Sequence, residues 1–193
     1  MKSPLAPAII LSLFALPAAA ALQPGVAAPQ FTAVASFAGK SFHYSLKNAL
    51  KKGPVVVYFF PSAYTSGCDI EAHTFAVNIG KFTAAGASVI GVSLDSIGRL
   101  NSFSKDPNYC AGKFPTASDP HGTIAKSFDL TVHAAQPGMT DVRGVEINHG
   151  FAERTTFVVS PSGMIAASIG GVAPADNVHQ TLKAVKALAA RRN

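Results

Sequence analysis

In the stretch YFFPSAYTSGCDIEAHTF, Tyr58 to Phe75, Pro61 is followed by Thr65, Thr65 by Cys68 three residues on, and Cys68 by Glu71 three further. Ser66-Gly67-Cys68-Asp69 has the form of a helix start. Thr65 or Ser66 can cap it, and Asp69 and Glu71 fall in its first turn. A thiol at Cys68 would then sit near unpaired backbone N–H groups and the positive end of the helix dipole, a setting that lowers its pKa and makes a nucleophile of it. A free cysteine is also a common small apolar filler. The residues by themselves leave packing, cross-linking and reaction open for Cys68.

The elements that must carry this segment are legible around it. VVVYFF, residues 55–60, lies between Gly53-Pro54 and Pro61 and reads as a strand buried on both faces. From Cys68 onward, Ala72, Phe75, Ala76, Ile79 and Phe82 recur at helical spacing up to Gly86. ASVIGVSL, 87–94, reads as a second buried strand, Ile97 to Lys105 as a short helix, and FPTAS, 114–118, as a short extended piece. His121 to Phe128 predicts a helical turn or two, followed by a Gly/Pro-bearing loop from Thr131 to Gly150. RTTFVVS, the turn PSG at 161–163 and MIAASIGG form a hairpin. Val178, Leu182, Val185 and Ala189 place an amphipathic helix near the C-terminus. This order predicts an α/β fold, a central mixed β-sheet with helices on both faces, extended by an N-terminal hairpin from FAGKSFHYSL.

The bulk properties bound the rest. Lys2, the apolar run AIILSLFAL and then PAAAA read as a secretory signal over residues 1–21, too short to span a bilayer. Residues 22–193 are enough for one domain with its own core. The net charge of +6 is spread along the chain, with adjacent basic pairs only at 51–52 and 191–192. Nucleic-acid binding needs clustered charge with interleaved aromatics, so no such partner is expected. Two cysteines in an exported chain normally suggest one structural disulfide, but a domain of this size does not need one.

Pro61-x-x-x-Thr65-x-x-Cys68, directly after an apolar strand, resembles the active-site signature of the peroxiredoxins, thiol peroxidases of the AhpC/TSA superfamily with a thioredoxin-like fold. PGVAAPQFTAV resembles the family's opening, ASVIGVSLDS its second core strand, and FPTASDPHGTIAKSFDL the stretch in which an aspartate and a glycine precede a short helix. ERTTFVVSPSGMI resembles the segment bearing the family's active-site arginine, which falls on Arg154. The match covers essentially all of residues 22–193 and is most like the Q-type, or bacterioferritin-comigratory, branch.

The resemblance implies that Cys68 is the peroxidatic cysteine, with Thr65, Arg154 and Pro61 completing the site and Glu71 supporting it. Thiolate acidity is the smaller part of such catalysis. Lowering a thiol from about 8.5 to about 6 raises the thiolate fraction at pH 7 roughly thirtyfold, but costs roughly tenfold in nucleophilicity. The larger share must come from donors aimed at the departing oxygen. Thr65 Oγ is expected to accept from the peroxide or relay a hydrogen bond to the sulfur. Arg154 and the Cys68 backbone N–H are expected to stabilise developing charge, Pro61 to close one wall, and Glu71 to orient Arg154. Asp69, where the family has a neutral residue, is expected to point outward from the first turn.

After attack, Cys68 is a sulfenic acid that must meet a thiol before it is overoxidised. Where the branch often carries its resolving cysteine, five residues after the first, this chain has His73. Cys110, after NSFSKDPNY, falls roughly where other members of the branch carry a resolving cysteine, so the resemblance implies an intramolecular resolver there, recycled by a thioredoxin-like or other dithiol reductant; a one-cysteine mechanism with Cys110 a bystander stays open beside it. The competing reading is a non-enzymatic thioredoxin-like module with a permanent Cys68–Cys110 bond, worth about 4 kcal/mol by loop entropy. A Cys-x-x-Cys motif is absent, and Cys68, His73, Cys110 and His121 lack metal-ligand spacing, so neither metal nor organic cofactor is expected. His133, His149 and His179 read as ordinary loop or helix-surface residues. The expected substrates are hydrogen peroxide and organic hydroperoxides, the expected location periplasmic or secreted, and the expected state a monomer or weak dimer without a membrane span after processing.

Overall fold

A computed structural model describes residues 21–191. The signal assigned to residues 1–21 therefore lies, apart from Ala21, outside the described residues. Seven strands form one mixed sheet in the order β2-β1-β5-β4-β3-β8-β9. They are β1 (Thr32–Phe37), β2 (Lys40–Ser45), β3 (Val55–Phe59), β4 (Ser88–Ser93), β5 (Thr116–Ser118), β8 (Thr155–Val159) and β9 (Ile165–Gly170). The helices are α1 (Leu46–Leu50), α2 (Ser66–Ala84), α3 (Ile97–Lys105), α4 (Thr123–Ser127) and α5 (Pro174–Ala190).

β3 is the pivot. Every residue of VVVYF is buried, as expected of a strand covered on both faces. It runs parallel to β4 on one side and antiparallel to β8 on the other. Its side chains alternate between two cores. Val56, Tyr58 and the following Phe60 pack with Phe75 and Phe82 of α2, Leu100 and Phe103 of α3, and Val178, Leu182 and Val185 of α5. Val55, Val57 and Phe59 face Leu46 and Leu50 of α1 and Ala125 of α4, with Phe128. Helices thus cover both faces. The N-terminal hairpin joins the same sheet through antiparallel pairing of β1 with β5.

The segment from Thr131 to Gly150 is more than a loop. β6 (Val132–His133) pairs antiparallel with β7 (Phe151–Ala152), forming a two-stranded sheet that closes it at its base. Two-residue strands are too short to leave a period-2 pattern in the sequence. The five-residue helix α1 escapes notice for the same reason of length.

Candidate active site

Phe60 donates the last inter-strand bond beyond β3, to Val92 O at 3.1 Å. Residues 61–65 then turn the chain into α2. Tyr64 takes a left-handed backbone, φ 59°, a strained conformation for a bulky residue that persists only where packing over-determines it. Here its ring lies edge-on to Phe103 and Tyr109 at 5.1 and 5.3 Å. The Arg143 guanidinium lies 3.3 Å from the ring centroid. Thr65 is the N-cap of α2, but its side chain makes no capping bond. Its hydroxyl donates instead to Ser62 O at 2.8 Å. A hydroxyl has one proton, so Thr65 presents lone pairs to a ligand while that proton stays on Ser62 O, and favours the thiolate only when it turns the proton to the sulfur.

Cys68 is the third residue of α2 and only 2 % exposed. Arg154 comes from the residue before β8. The β3–β8 register pairs Phe59 with Thr155, so Arg154 emerges beside the end of β3, where α2 begins. Its Nη2 donates to the Cys68 sulfur at 3.2 Å and its Nη1 to Glu71 Oε2. The Glu71 side chain is fully buried, and its other oxygen has no partner. Gly67 makes room for this fork: a Cβ there would stand 3.2 Å from Arg154 Nη2. Pro61 is half-buried at the loop's start.

The electrostatics reverse one expectation. Burial pushes the Cys68 thiol above its ordinary value; the Arg154 charge, the Thr65 hydroxyl, the Ser62 backbone and the Arg154 hydrogen bond pull it back without overcoming burial. The helix-start argument anticipates a lowered pKa. It fails because the turn that supplies the dipole also seals the sulfur inside the core. Burial likewise carries Glu71 up to about 7, with Arg154 opposing. Burial draws Arg154 down, but the facing Cys68 and Glu71 outweigh it and hold the guanidinium charged.

Asp69 also departs from expectation. It is half-buried, with Oδ1 buried and unpartnered, and burial lifts its carboxyl to about 6, with Asp106 and Asp141 adding to the rise.

Cys110 lies in the turn after α3, fully buried in the same core cluster as Cys68. Burial pushes its thiol well above the ordinary value, and Asp106 and Asp69 push it further. Both cysteines are free thiols, buried in one core cluster. His73, at the branch's usual resolving position, pairs its Nδ1 with Asn108 O at 3.1 Å. Among the described residues no three His, Cys, Asp or Glu side chains gather to hold a metal ion, and no helix is long and apolar enough to cross a membrane.

Three features escaped the sequence. Gly67 carries no signal beyond being a glycine at a helix start. Tyr58, within the run read as a buried strand, stacks on Phe75 at 4.6 Å with an unpartnered buried hydroxyl, and ionised Cys110, Glu71 or Cys68 would each raise its pKa beyond the effect of burial. His149 is no ordinary loop residue, since its Nε2 lies 3.0 Å from the buried carboxylate of Asp95. A partner 54 positions away leaves no local pattern to read.

A buried cysteine on a helix tip, held by an arginine that a second buried carboxylate braces, on a thioredoxin-like sheet, defines a thiol-based redox protein. Residues 24–168 match the AhpC/TSA family, and the chain belongs to that family, whose peroxiredoxins are thiol peroxidases. It is 32% identical over 136 residues to peroxiredoxin Bcp of Xanthomonas campestris, covering 69% of this chain and 76% of that protein. To a putative peroxiredoxin of Mycobacterium tuberculosis it is 30% identical over 141 residues, 71% of this chain and 82% of the relative. The solved structure of the Xanthomonas campestris bacterioferritin comigratory protein superposes with a TM-score of 0.65 at 27% identity, covering 82% of this chain and 92% of that one. The fold is also that of peroxidoxin BcpB from Mycobacterium tuberculosis, TM-score 0.69 at 24% identity over 86% of this chain and 98% of that one.

Proposed function

We propose that the chain reduces hydrogen peroxide and organic hydroperoxides through Cys68. The observation that carries this is the Arg154 fork, one arm on the Cys68 sulfur and the other on Glu71. The Cys68 thiol first loses its proton to solvent; the thiolate attacks the terminal peroxide oxygen, the O–O bond breaks as an S–O bond forms, and the departing oxygen takes up a proton from solvent and leaves as water or an alcohol. Charge developing on the departing oxygen meets the guanidinium and the free N–H groups of the first turn of α2. Thr65 orients the peroxide by accepting its proton in a hydrogen bond. Because burial limits the thiolate fraction, the rate rests on this stabilisation of the transition state.

The Cys68 sulfenic acid then condenses with the Cys110 thiol, releasing water and leaving a disulfide. A thioredoxin-like dithiol reduces that disulfide to two thiols and is itself oxidised. Two sulfurs buried in one cluster support this route. For them to bond, the first turn of α2 or the turn bearing Cys110 must loosen locally. Export to the periplasm or beyond, after cleavage near Ala21, fits the apolar run following Lys2, and the mature chain 22–193 would act as a monomer or weak dimer. N-terminal sequencing of the mature protein and sedimentation address these points.

The deciding experiment is peroxide turnover with dithiothreitol for the wild type, Cys68→Ser and Cys110→Ser, with free thiols titrated after peroxide. The proposal expects no turnover in Cys68→Ser and loss of both thiols in the wild type. Turnover surviving in Cys68→Ser overturns the site. Cys110 remaining free after peroxide overturns the resolving step alone.

A further inference from the structure

Behind the 61–65 loop lies a cluster of charged side chains that the peroxide chemistry above does not use. Asp95, just past β4, is fully buried. Its Oδ2 accepts from Ala63 N at 2.8 Å and Ser93 Oγ at 2.7 Å; its Oδ1 accepts from Ser62 Oγ at 3.2 Å. Arg99, on the first turn of α3, sets Nε 2.8 Å from the same Oδ1 as an ion contact and donates through Nη2 to Ala63 O at 2.8 Å. That Nη2 also lies 2.8 Å from Asp141, which takes a two-pronged bond from Arg143, the residue stacked on Tyr64. Val142 N donates to Tyr64 O at 2.9 Å. Residues 62, 63 and 64 are thus all held from behind, and Thr65 and Cys68 follow directly.

His149 closes the cluster. Its Nδ1 lies 2.7 Å from Gly150 O and its Nε2 3.0 Å from Asp95 Oδ1. A carbonyl oxygen carries no proton. Asp95 stays ionised because, although burial raises its carboxyl, His149 and its other donors pull it below the usual range. Both ring nitrogens therefore face obligate acceptors, and only the doubly protonated imidazolium donates to both. The contrary arrangement, Nε2 accepting from Ser62 Oγ, would span 3.5 Å, and that hydroxyl has Asp95 closer.

We propose that His149, as an imidazolium, is a positioning residue for peroxide reduction: through Asp95 it fixes the 61–65 loop, so that its deprotonation loosens the peroxide's seat without changing the sulfur's ionisation. This rests on the peroxidase reading. The groups facing His149 are Asp95 beyond β4, Arg99 and Ser96 at the start of α3, Ser62 of the loop, and Glu146 and Asn148 of its own segment. Burial draws His149 down and Arg99 opposes its charge, but the Asp95 bond, its charge and the Gly150 carbonyl prevail and hold the imidazole above its ordinary value. A raised folded-state pKa means the link is fully present below about pH 6.5 and is lost as pH rises through the shifted value.

The test compares two pH profiles from 6 to 10, kcat/KM for hydrogen peroxide and the rate of Cys68 alkylation by iodoacetamide, in the wild type and His149→Gln. Glutamine keeps one donor toward Asp95 and cannot titrate. With rising pH the ratio of peroxide rate to alkylation rate should fall about tenfold further in the wild type than in His149→Gln, the loss of one charge-assisted bond; Glu71, carried up to about 7, titrates in both proteins and cancels in the comparison. Nitrogen-15 spectra of the wild type should show both His149 nitrogens protonated at pH 6.5. A neutral tautomer there, or a ratio with the same pH dependence in both proteins, overturns the proposal. If His149→Gln fails to fold, the wild-type nitrogen-15 spectra still decide. A wild type with no peroxide turnover sinks the peroxidase reading and this inference together, whereas turnover with the same pH dependence of the ratio in both proteins sinks only this one.

Discussion

Arg154 Nη2 donates to the sulfur of Cys68 at 3.2 Å across 86 residues of sequence. The antiparallel β3–β8 register makes this meeting obligatory, because it sets the residue before Thr155 beside the strand end from which α2 departs. The guanidinium is rigid and planar, so the arm that grips Glu71 dictates where the other arm points. Glu71 therefore belongs to the site through Arg154 and not through contact with the sulfur.

Replacing Arg154 by lysine keeps the charge and loses the fork. One ammonium cannot face Glu71 and the sulfur in the same geometry, and a lost transition-state donor is worth about 10²- to 10³-fold in rate. Arg154→Lys is expected to lose about a hundredfold in kcat/KM for peroxide. In Arg154→Met the pull on the thiol also disappears. Since Arg154 lowers the Cys68 pKa, the alkylation inflection should move upward from its wild-type position, and an unmoved inflection would count against the contact.

Gly67→Ala separates activity from stability. Alanine in a helix is favoured over glycine by about 1 kcal/mol, but its Cβ would press on Arg154 Nη2 at 3.2 Å. The melting temperature should hold or rise while peroxide turnover falls at least severalfold. A variant as active as the wild type would show that Arg154 has slack.

Acid stability should depend on Asp141. Burial raises its carboxyl, but the Arg143 bonds, the Val145 and Arg143 backbone N–H groups and Arg99 overcome that and hold it down at about 2. A depressed folded-state value contributes stability that is present above about pH 4 and lost as pH falls toward 2. Asp141→Asn should thus cost on the order of 2 kcal/mol at pH 7 and much less near pH 2. Melting curves of both proteins at the two pH values make the comparison.

The sequence displayed most of the architecture because the elements that matter are long and uniformly apolar. VVVYFF and ASVIGVSL read as buried strands, and the Ile97–Lys105 helix has the predicted bounds. The helix start at Cys68 was legible because Thr65, Cys68 and Glu71 lie within two turns of chain, but their roles, like that of Arg154, came from a family resemblance rather than any spacing. What stayed hidden is tertiary. The sign of the Cys68 shift depends on how deeply the helix tip is buried, the raised Asp69 carboxyl on its burial and on carboxylates elsewhere in the chain, and the role of His149 on an aspartate in another element. None of these leaves a periodic trace.

Gly91 and Tyr58 offer a test of the wall behind the site. A Cβ at Gly91 would come within 2.7 to 2.8 Å of three atoms at the end of the Tyr58 ring. The ring cannot slide away, since it stacks on Phe75 and Phe60 and meets Phe114 edge-on. Gly91→Ala should therefore destabilise by about 1–3 kcal/mol through overpacking. Tyr58→Phe removes a buried hydroxyl that has no partner, so it should be neutral or stabilising. The hydroxyl oxygen is one of the three crowded atoms, so Tyr58→Phe should recover part of the loss when combined with Gly91→Ala. Denaturant melts of the two single variants and the double variant measure this coupling. Strict additivity would mean that the Tyr58 hydroxyl is not among the atoms that meet the new methyl.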